Sequence, residues 1–367
     1  VALKAGDEIE VRIEKLVYGG SGLARYNQFV IFVPYTSPEE VCKVRLIKVK
    51  KKFAEAQKLK TLKPGPEQRQ APCEVFSICG GCHWQNTTYE EQLNQKHIIA
   101  KESIQEFYAG EIPMLYDKEW HYRNRIQVRA KENQIGFYKK NSHEIIDAKK
   151  CLITDKVLLE EINKLAVHNH AETTKYELFL DKDQQIHKSI NKKHAQELGF
   201  SQVNTAINEK LIKHISTWIH SANSKQIYDL YCGKGNFSLN LSQSMQGLSI
   251  TAVDISKANI DFAKVTDSAV SFVCEDVLQW LKSAQWPENA LVIIDPPRIG
   301  ADPEFLKLLA AKEPKHLIYI SCNPSTLTRD LKTFFAANSD YYLSKATAFD
   351  MFPQTYHFEM AILLERK

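Results

Sequence analysis

Apolar and polar residues alternate in short runs over residues 7 to 62. Ile9-Glu10-Val11-Arg12-Ile13 has the two-residue period of a half-buried strand, and Phe29-Val30-Ile31-Phe32-Val33 and Val41 to Val49 read the same way. Turn-forming clusters, Gly19-Gly20-Ser21-Gly22 and Pro34 to Pro38, separate the runs. The pattern predicts a small β-barrel over residues 1–62, ended by Pro64-Gly65-Pro66. Thr88 followed by Glu91 has capping-box spacing, and Tyr89, Leu93, Ala100, Ile104 and Phe107 recur at helical spacing, which predicts a helix over 88–107. A mixed, strand-rich stretch follows from Trp120 to about Glu197.

From Gln226 onward the pattern becomes apolar strand, loop and helix, repeated, as in a doubly wound α/β sheet. Strands are predicted at Gln226 to Leu230, Ser249 to Val253, Val270 to Val273, Ala290 to Ile294, Leu317 to Ser321 and Met360 to Leu364. No internal repeat or low-complexity segment interrupts them.

Composition narrows the class. A chain of 367 residues, 44% hydrophobic and 25% charged, can bury a full core and divide into two or three domains. No run approaches eighteen consecutive apolar residues, and Val1-Ala2-Leu3-Lys4-Ala5-Gly6-Asp7 lacks signal-peptide features, so the expectation is a cytoplasmic protein with no membrane association. The net charge of +4 is small, but it is unevenly placed. Lys43, Arg45, Lys48, Lys50, Lys51, Lys52, Lys58, Lys60 and Lys63 face a single acid, Glu55. Such a block either protects an edge strand from aggregation or meets a polyanion.

Three constellations carry chemistry. The first, Asp229-Leu230-Tyr231-Cys232-Gly233-Lys234-Gly235-Asn236, follows a predicted strand and precedes a helix, where glycines let backbone approach a ligand. Ser238 stands where a dinucleotide fingerprint wants a third glycine. Asp254 closes the second strand, where it could accept ribose hydroxyls, and Asp276 follows the third, where an adenine amino group could be read. Together these point to S-adenosylmethionine rather than a nicotinamide cofactor.

The second is Asp295-Pro296-Pro297-Arg298 with Ser321-Cys322-Asn323-Pro324 and Glu359. Methylases of exocyclic amines follow a similar acid-Pro-Pro segment with an aromatic residue, and RNA cytosine-5 methylases place a cysteine there; this chain has Arg298, and its cysteine comes one strand later. Carbon 5 of uracil is a poor nucleophile until a thiolate adds to carbon 6, and the C5 proton must afterwards leave to a base. Cys322 suits the nucleophile and Glu359 the base, with Arg298 or Arg329 as the cation that would help populate the thiolate.

The third is Cys73-x5-Cys79-Gly80-Gly81-Cys82 with the distant Cys151. Four thiolates suit zinc or an iron–sulfur cluster, and the spacing alone leaves both open.

Six motifs together carry a resemblance that covers essentially the whole chain. They are the Cys-x5-Cys-Gly-Gly-Cys run with its distant partner, Phe200-Ser201-Gln202-Val203-Asn204, Asp-Leu-Tyr-Cys-Gly, Asp-Pro-Pro-Arg, Ser-Cys-Asn-Pro, and Met-Phe-Pro-x-Thr-x-His-x-Glu. The chain resembles the RNA 5-methyluridine methyltransferases, in particular the iron–sulfur-containing 23S ribosomal RNA (uracil-5-)-methyltransferases with an N-terminal TRAM domain. The resemblance implies a Rossmann-like methyltransferase domain over 200–367, an OB-like TRAM barrel over 1–62 that binds RNA, and a small α+β iron–sulfur domain over 63–199. It implies a [4Fe–4S] cluster on Cys73, Cys79, Cys82 and Cys151. It also implies contacts to S-adenosylmethionine from Gln202, Tyr231, Asn236, Asp254, Asp276 and Asp295, and a substrate pocket beside Phe200 and Asn204. Tyr231 and Asp254 depart from the commoner phenylalanine and glutamate, without removing a required group.

On this reading Trp120-His121-Tyr122-Arg123-Asn124-Arg125, with Arg129 and Lys131, interleaves aromatics and cations suited to phosphates and unstacked bases, and Arg298 reaches the RNA. The expected substrate is 23S rRNA, with the T-loop uridine of tRNA as the alternative. A monomer is expected. A non-catalytic RNA-binding factor is the rival class, distinguished by the indifference of all its activities to loss of Cys322.

Overall fold

The alternating runs at the start of the chain close on themselves. Strands β1 (Glu8–Leu16), β2 (Ser21–Tyr26), β3 (Phe29–Pro34), β4 (Val41–Val49) and β5 (Phe53–Lys63) form a closed barrel in the order β1-β2-β3-β5-β4, with β4 antiparallel to β1. Every second side chain points inward, so Val11, Ile13, Ile31, Val33, Val44 and Leu46 make one core with Cys42, Ala54 and Ala56. Gly22 stands second in β2 because nothing larger fits: a Cβ there would stand 2.2 Å from Thr36 Oγ1 and 2.8 Å from Ile13 Cγ2.

Closure removes the edge strand that was one of the two readings of the lysine block, because β4 and β5 each have a neighbour on both sides. The block divides instead. Lys43 and Arg45 each lie 2.7 Å from Glu8, and Lys58 lies 3.0 Å from the buried Glu40. Lys48, Lys50, Lys51, Lys52, Lys60 and Lys63 are exposed.

The computed structural model describes residues 3–166, 170–191 and 202–367. After the barrel come α1 (Tyr89–Ile104) and the short β6 (Met114–Leu115). Thr88 begins α1 as expected, but its hydroxyl donates to Glu67 (2.7 Å), and the helix ends three residues before Phe107. A five-stranded antiparallel sheet follows, made of β7 (Arg125–Glu132), β8 (Gln134–Tyr138), β9 (Ile145–Asp147), β10 (His170–Leu180) and β11 (Ile186–Ile190) in the order β11-β10-β7-β8-β9. Between β9 and β10, α2 (Lys156–Leu165) is capped by Asp155, which accepts the Val157 N–H at 2.9 Å. Leu158, Ile162 and Leu165, spaced for one helical face, join Ile126, Val128 and Leu178 of the sheet in a second core.

The remaining elements are α3 (Thr205–Ala222), β12 (Gln226–Leu230), α4 (Asn236–Ser244), β13 (Ser249–Asp254), α5 (Lys257–Thr266), β14 (Ser271–Cys274), α6 (Val277–Ser283), β15 (Leu291–Ile294), α7 (Pro303–Ala311), β16 (His316–Ser321), α8 (Pro324–Ala337), β17 (Tyr341–Phe349) and β18 (Glu359–Arg366). They build one sheet in the order β14-β13-β12-β15-β16-β18-β17-β6. The first five strands are parallel, and β18 runs antiparallel between β16 and β17. Strand order reverses between β12 and β15, which makes the carboxyl ends of those strands the topological switch point. All six strands predicted from Gln226 onward are present, shifted by no more than two residues at an end. β17 was not predicted; its pairing with β18 slips between Leu343 and Lys345, which breaks the alternation.

The chain divides into two compact units, one of Val1–Ile99, Lys118–Asn191 and Phe352–His357, the other of Ala100–Asp117, Lys192–Met351 and Phe358–Lys367. The expected boundary at 62/63 runs inside the first unit, and the one at 199/200 lies outside the described residues. Among the described residues no helix is long and apolar enough to cross a membrane.

Candidate active site

Strand register assembles the site. Parallel pairing matches Leu230 with Ile294 and Ile294 with Tyr319, so Tyr231, Asp295 and Cys322 emerge from neighbouring strands at one edge of the sheet. β18 enters from the opposite direction, and its pairing of Met360 with Ser321 sets Glu359 beside the end of β16. Residues spread from Tyr231 to Glu359 in sequence thus meet at the carboxyl edge, where open α/β sheets hold ligands.

Cys322 follows a wholly buried strand and precedes α8, whose cap Asn323 accepts the Ser325 N–H at 3.1 Å. Asn323 also donates its amide to the Arg298 carbonyl at 3.1 Å, which ties the Asp295–Arg298 loop to the cysteine's turn. Burial, helped by the Glu359 and Asp295 carboxylates and opposed by Arg298, pushes the Cys322 thiol up to about 12. Glu359 is buried, and burial with the Asp295 charge raises its carboxyl well above the ordinary range. Asp295 is itself raised by burial and by Asp229. Arg298 therefore opposes the upward shifts of the Cys322 thiol and the Glu359 carboxyl. Arg329, the other candidate cation, is occupied elsewhere: it donates to Asp330 at 2.7 Å and to the Ile299 carbonyl at 2.8 Å.

The glycine-bearing loop after β12 has an unusual backbone. Tyr231 has a φ of 64°, in a left-handed region that large side chains rarely occupy, and Gly233 and Gly235 share that region at 55° and 83°. Tyr231 packs edge-to-face on Phe305 with centroids 5.5 Å apart. A Cβ on Gly233 would meet nothing within 4 Å, so the loop borders open space. α4 begins there with Gly235, which has no side chain to cap it, and Asp229 takes the Ser238 N–H of its first turn at 3.0 Å. Asp254 accepts the Gly233 N–H at 2.9 Å and the Ser256 N–H at 2.8 Å. Asp276 caps α6 by accepting the Leu278 and Gln279 N–H groups at 3.0 and 3.1 Å. Asn236 exchanges two amide hydrogen bonds with Asn208 of α3.

Asn204 is buried; it caps α3 and donates to the Met351 carbonyl at 3.4 Å. Gln202 lies half-buried just before that cap, and Phe200 lies outside the described residues. Arg125 corrects an expectation. It is buried, 2.7 Å from the equally buried Glu177 on the paired strand β10, so its charge is neutralised inside the sheet instead of facing RNA. Tyr122 is likewise buried, donating to the Pro353 carbonyl at 3.0 Å. Arg123 is half-buried and donates to the Arg125 carbonyl at 2.9 Å.

Cys73, Cys79, Cys82 and Cys151 lie in the first unit, none of them in a disulfide. A charge on Cys151 would raise each of the other three thiols, so the four stand within one another's electrostatic reach although Cys151 is far away in sequence. Burial is the larger cause, pushing Cys82 up to about 12. Burial disfavours the thiolate form of Cys73, Cys79 and Cys82, and the positive charge of a metal group would offset that, so the donors fit such a group by their chemistry. Its arrangement is not that of an ion site: among the described residues no three His, Cys, Asp or Glu side chains converge as ligands of one ion.

Two residues that the sequence did not single out organise the site. Asp330, buried on α8, accepts from Tyr319 Oη (2.6 Å), the Ala301 N–H (2.8 Å) and Arg329, holding the loop after Arg298 against α8. Asp229, fully buried in β12, accepts the Ser238 N–H at 3.0 Å and is pushed by burial up to about 7. Both are acids inside an apolar strand or helix face, which is the one signal that could have drawn attention to them.

The family profile described as tRNA (Uracil-5-)-methyltransferase matches residues 156–272 and 280–367, and the TRAM domain profile matches residues 2–59. An uncharacterized RNA methyltransferase of Bdellovibrio bacteriovorus is 35% identical over 370 residues, covering 96% of this chain and 94% of that protein. Another from Aquifex aeolicus is 31% identical, covering 98% and 99%. In three dimensions the chain is similar to the Pyrococcus abyssi tRNA (uracil-54, C5)-methyltransferase, solved in complex with S-adenosyl-L-homocysteine. That likeness has a TM-score of 0.77 at 21% identity over 97% of this chain and 100% of that one, and it speaks for the fold. With its TRAM barrel, its methyltransferase sheet and these relatives, the chain belongs to the tRNA (uracil-5-)-methyltransferase family of RNA methyltransferases.

Proposed function

We propose that the protein methylates carbon 5 of one uridine in 23S rRNA, using S-adenosylmethionine, through a covalent intermediate on Cys322. The observation that carries this is the β16–β18 register, which stands a thiol and a buried carboxyl side by side at the switch-point edge. Cys322 loses its thiol proton to solvent, Arg298 favouring the thiolate; Sγ then forms a bond to uracil C6, and the ring electrons move toward the C4 carbonyl. Carbon 5 then takes the methyl carbon, whose bond to the cofactor sulfur breaks. Glu359 removes the C5 proton, the C5–C6 double bond re-forms, and the thiolate leaves. Glu359 suits this task because burial gives its carboxylate a strong affinity for a proton. Arg298 favours the Cys322 thiolate against the two neighbouring carboxyls.

Tyr231, Asn236, Asp254, Asp276, Asp295 and Gln202 would hold S-adenosylmethionine, which supplies the methyl group when bound. The open space at Gly233 and the acids ending β13 and capping α6 support that placement. Cys73, Cys79, Cys82 and Cys151 would hold a [4Fe–4S] cluster as a structural tether, and no step passes through it. The exposed lysines of the barrel, Asn204, Arg123 and Arg298 are the proposed RNA contacts. Extruding the uridine costs a few kcal/mol, least in a loop.

Mapping 5-methyluridine in ribosomal and transfer RNA from cells lacking the protein tests the substrate. Loss of one modified position in 23S rRNA is the expected result. Loss of the T-loop position in tRNA instead assigns the alternative substrate, and intact modification in both contradicts the proposal.

A further inference from the structure

Between Met351 and Phe358, both in the catalytic unit, six residues belong to the other unit, and Glu359 follows two residues after the last of them. Donors from the first unit hold three successive carbonyls of this segment. Lys96 Nζ donates to Phe352 O (3.1 Å) and Tyr122 Oη to Pro353 O (3.0 Å); the His83 and Trp84 N–H groups donate to Gln354 O (2.9 and 3.1 Å).

Gln354 is the centre of the arrangement, and all its polar atoms are engaged. Its N–H donates to Gln92 Oε1 at 3.0 Å, and its Oε1 accepts from Gln92 Nε2 at 3.0 Å and Arg69 Nη2 at 3.3 Å. Its Nε2 donates to Glu119 Oε2 at 3.0 Å, and Arg69 closes the ring to Glu119 at 3.0 Å. The residue is wholly buried, with a φ of 67° that only firm packing enforces on a residue with a side chain. Beyond it, Thr355 Oγ1 donates to Phe352 O and accepts the His357 N–H, so the remaining turn is internally tied. His83 and Trp84 directly follow Cys82, so one peptide carbonyl links the cysteine-rich loop to the segment that ends at Glu359.

We infer that Gln354 is a positioning residue for proton abstraction: its amide network fixes the 352–357 segment, and through it the entry of Glu359 into the site, from the cysteine-rich loop and α1. This rests on the reading of Glu359 as the base. The network predicts a defect confined to elimination, because methyl transfer on the Cys322 adduct precedes the step that needs Glu359. Gln354→Glu removes the donor to Glu119 and sets two carboxylates against each other; adding Glu119→Gln restores the bond with donor and acceptor exchanged.

The test uses total RNA from cells lacking the protein, methyl-labelled S-adenosylmethionine, and full-length wild-type, Glu359→Gln, Gln354→Glu and Gln354→Glu/Glu119→Gln proteins. Label is followed separately in denaturation-resistant protein–RNA complex and in released RNA. Gln354→Glu is expected to retain labelled complex, as Glu359→Gln does, while releasing product about ten- to a hundredfold more slowly; the double variant returns release to near the wild-type rate. Should Gln354→Glu fail to fold, Gln354→Asn, which withdraws the amide by one methylene, takes its place with the same expected signature. Wild-type release from the single variant, or complex and product lowered together and not recovered by the double variant, overturns the inference alone. Methylation by wild type with no labelled complex in any variant overturns the covalent mechanism and the inference with it.

Discussion

Cys322 and Glu359 stand one residue beyond a paired position on adjacent antiparallel strands, Ser321 of β16 facing Met360 of β18, and the Glu359 charge is the largest influence after burial that raises the Cys322 thiol. Once ionised, the base thus restrains its own nucleophile. In the free protein, alkylation of Cys322 by iodoacetamide is expected to be slow at pH 7 and to rise about tenfold per pH unit toward pH 10, because the thiol lies at about 12 and only the thiolate reacts. Above the pH at which Glu359 ionises, Glu359→Gln removes a repelling charge and should speed alkylation severalfold; Arg298→Ala should slow it. Mass spectrometry of the Cys322 peptide reads both, and equal rates in the three proteins would remove this coupling.

Gly300 ends the Asp295–Arg298 loop with a φ of 82°, and a Cβ there would stand 2.3 Å from Arg329 Nη2 and 2.5 Å from Asp330 Oδ2. Gly300→Ala should therefore lower unfolding stability by about 1–3 kcal/mol in urea, through strain and loss of the Asp330 network. Gly233→Ala, with a φ of 55° and open space around it, should cost about 1 kcal/mol from backbone strain alone. Equal costs would show that the Asp330 network does not hold the loop.

Asp229 should make the protein less stable as pH rises. Its folded carboxyl titrates at about 7 and an unfolded one near 4, so across that window the folded state binds more protons and stability falls with increasing pH. A gap of that size corresponds to as much as about 4 kcal/mol. Asp229→Asn keeps a carbonyl for the Ser238 N–H and removes the titration, so its melting temperature should gain on wild type between pH 4 and pH 8. Parallel curves over that range would contradict the assignment.

Much of this arrangement was legible from local pattern, and the rest depended on pairings that local pattern cannot carry. The parallel strands announced themselves as apolar runs, and the loop residues Tyr231, Asp254, Asp276, Asp295 and Cys322 could be placed because each follows or ends one of them. Arg125 was misread because its partner Glu177 comes fifty-two residues later, and only strand pairing brings a buried acid to it. The lysine block left edge protection and a polyanion partner both open, because closure of the barrel depends on β1 meeting β4, a contact no local window contains. Gln354 looked like a variable position in a motif, since its partners Arg69, Gln92 and Glu119 lie more than two hundred residues away.

The central claim is that Cys322 bonds to carbon 6 of a uracil and that Glu359 takes the C5 proton. The most direct measurement incubates the protein with S-adenosylmethionine and a 23S rRNA transcript, or a tRNA transcript in parallel, containing 5-fluorouridine. Fluorine cannot leave as a proton does, so a complex stable to denaturation should accumulate, with the cross-link on the Cys322 peptide, and Cys322→Ala should form none. No complex from a protein that methylates the ordinary transcript, or a complex that survives Cys322→Ala, would contradict the mechanism.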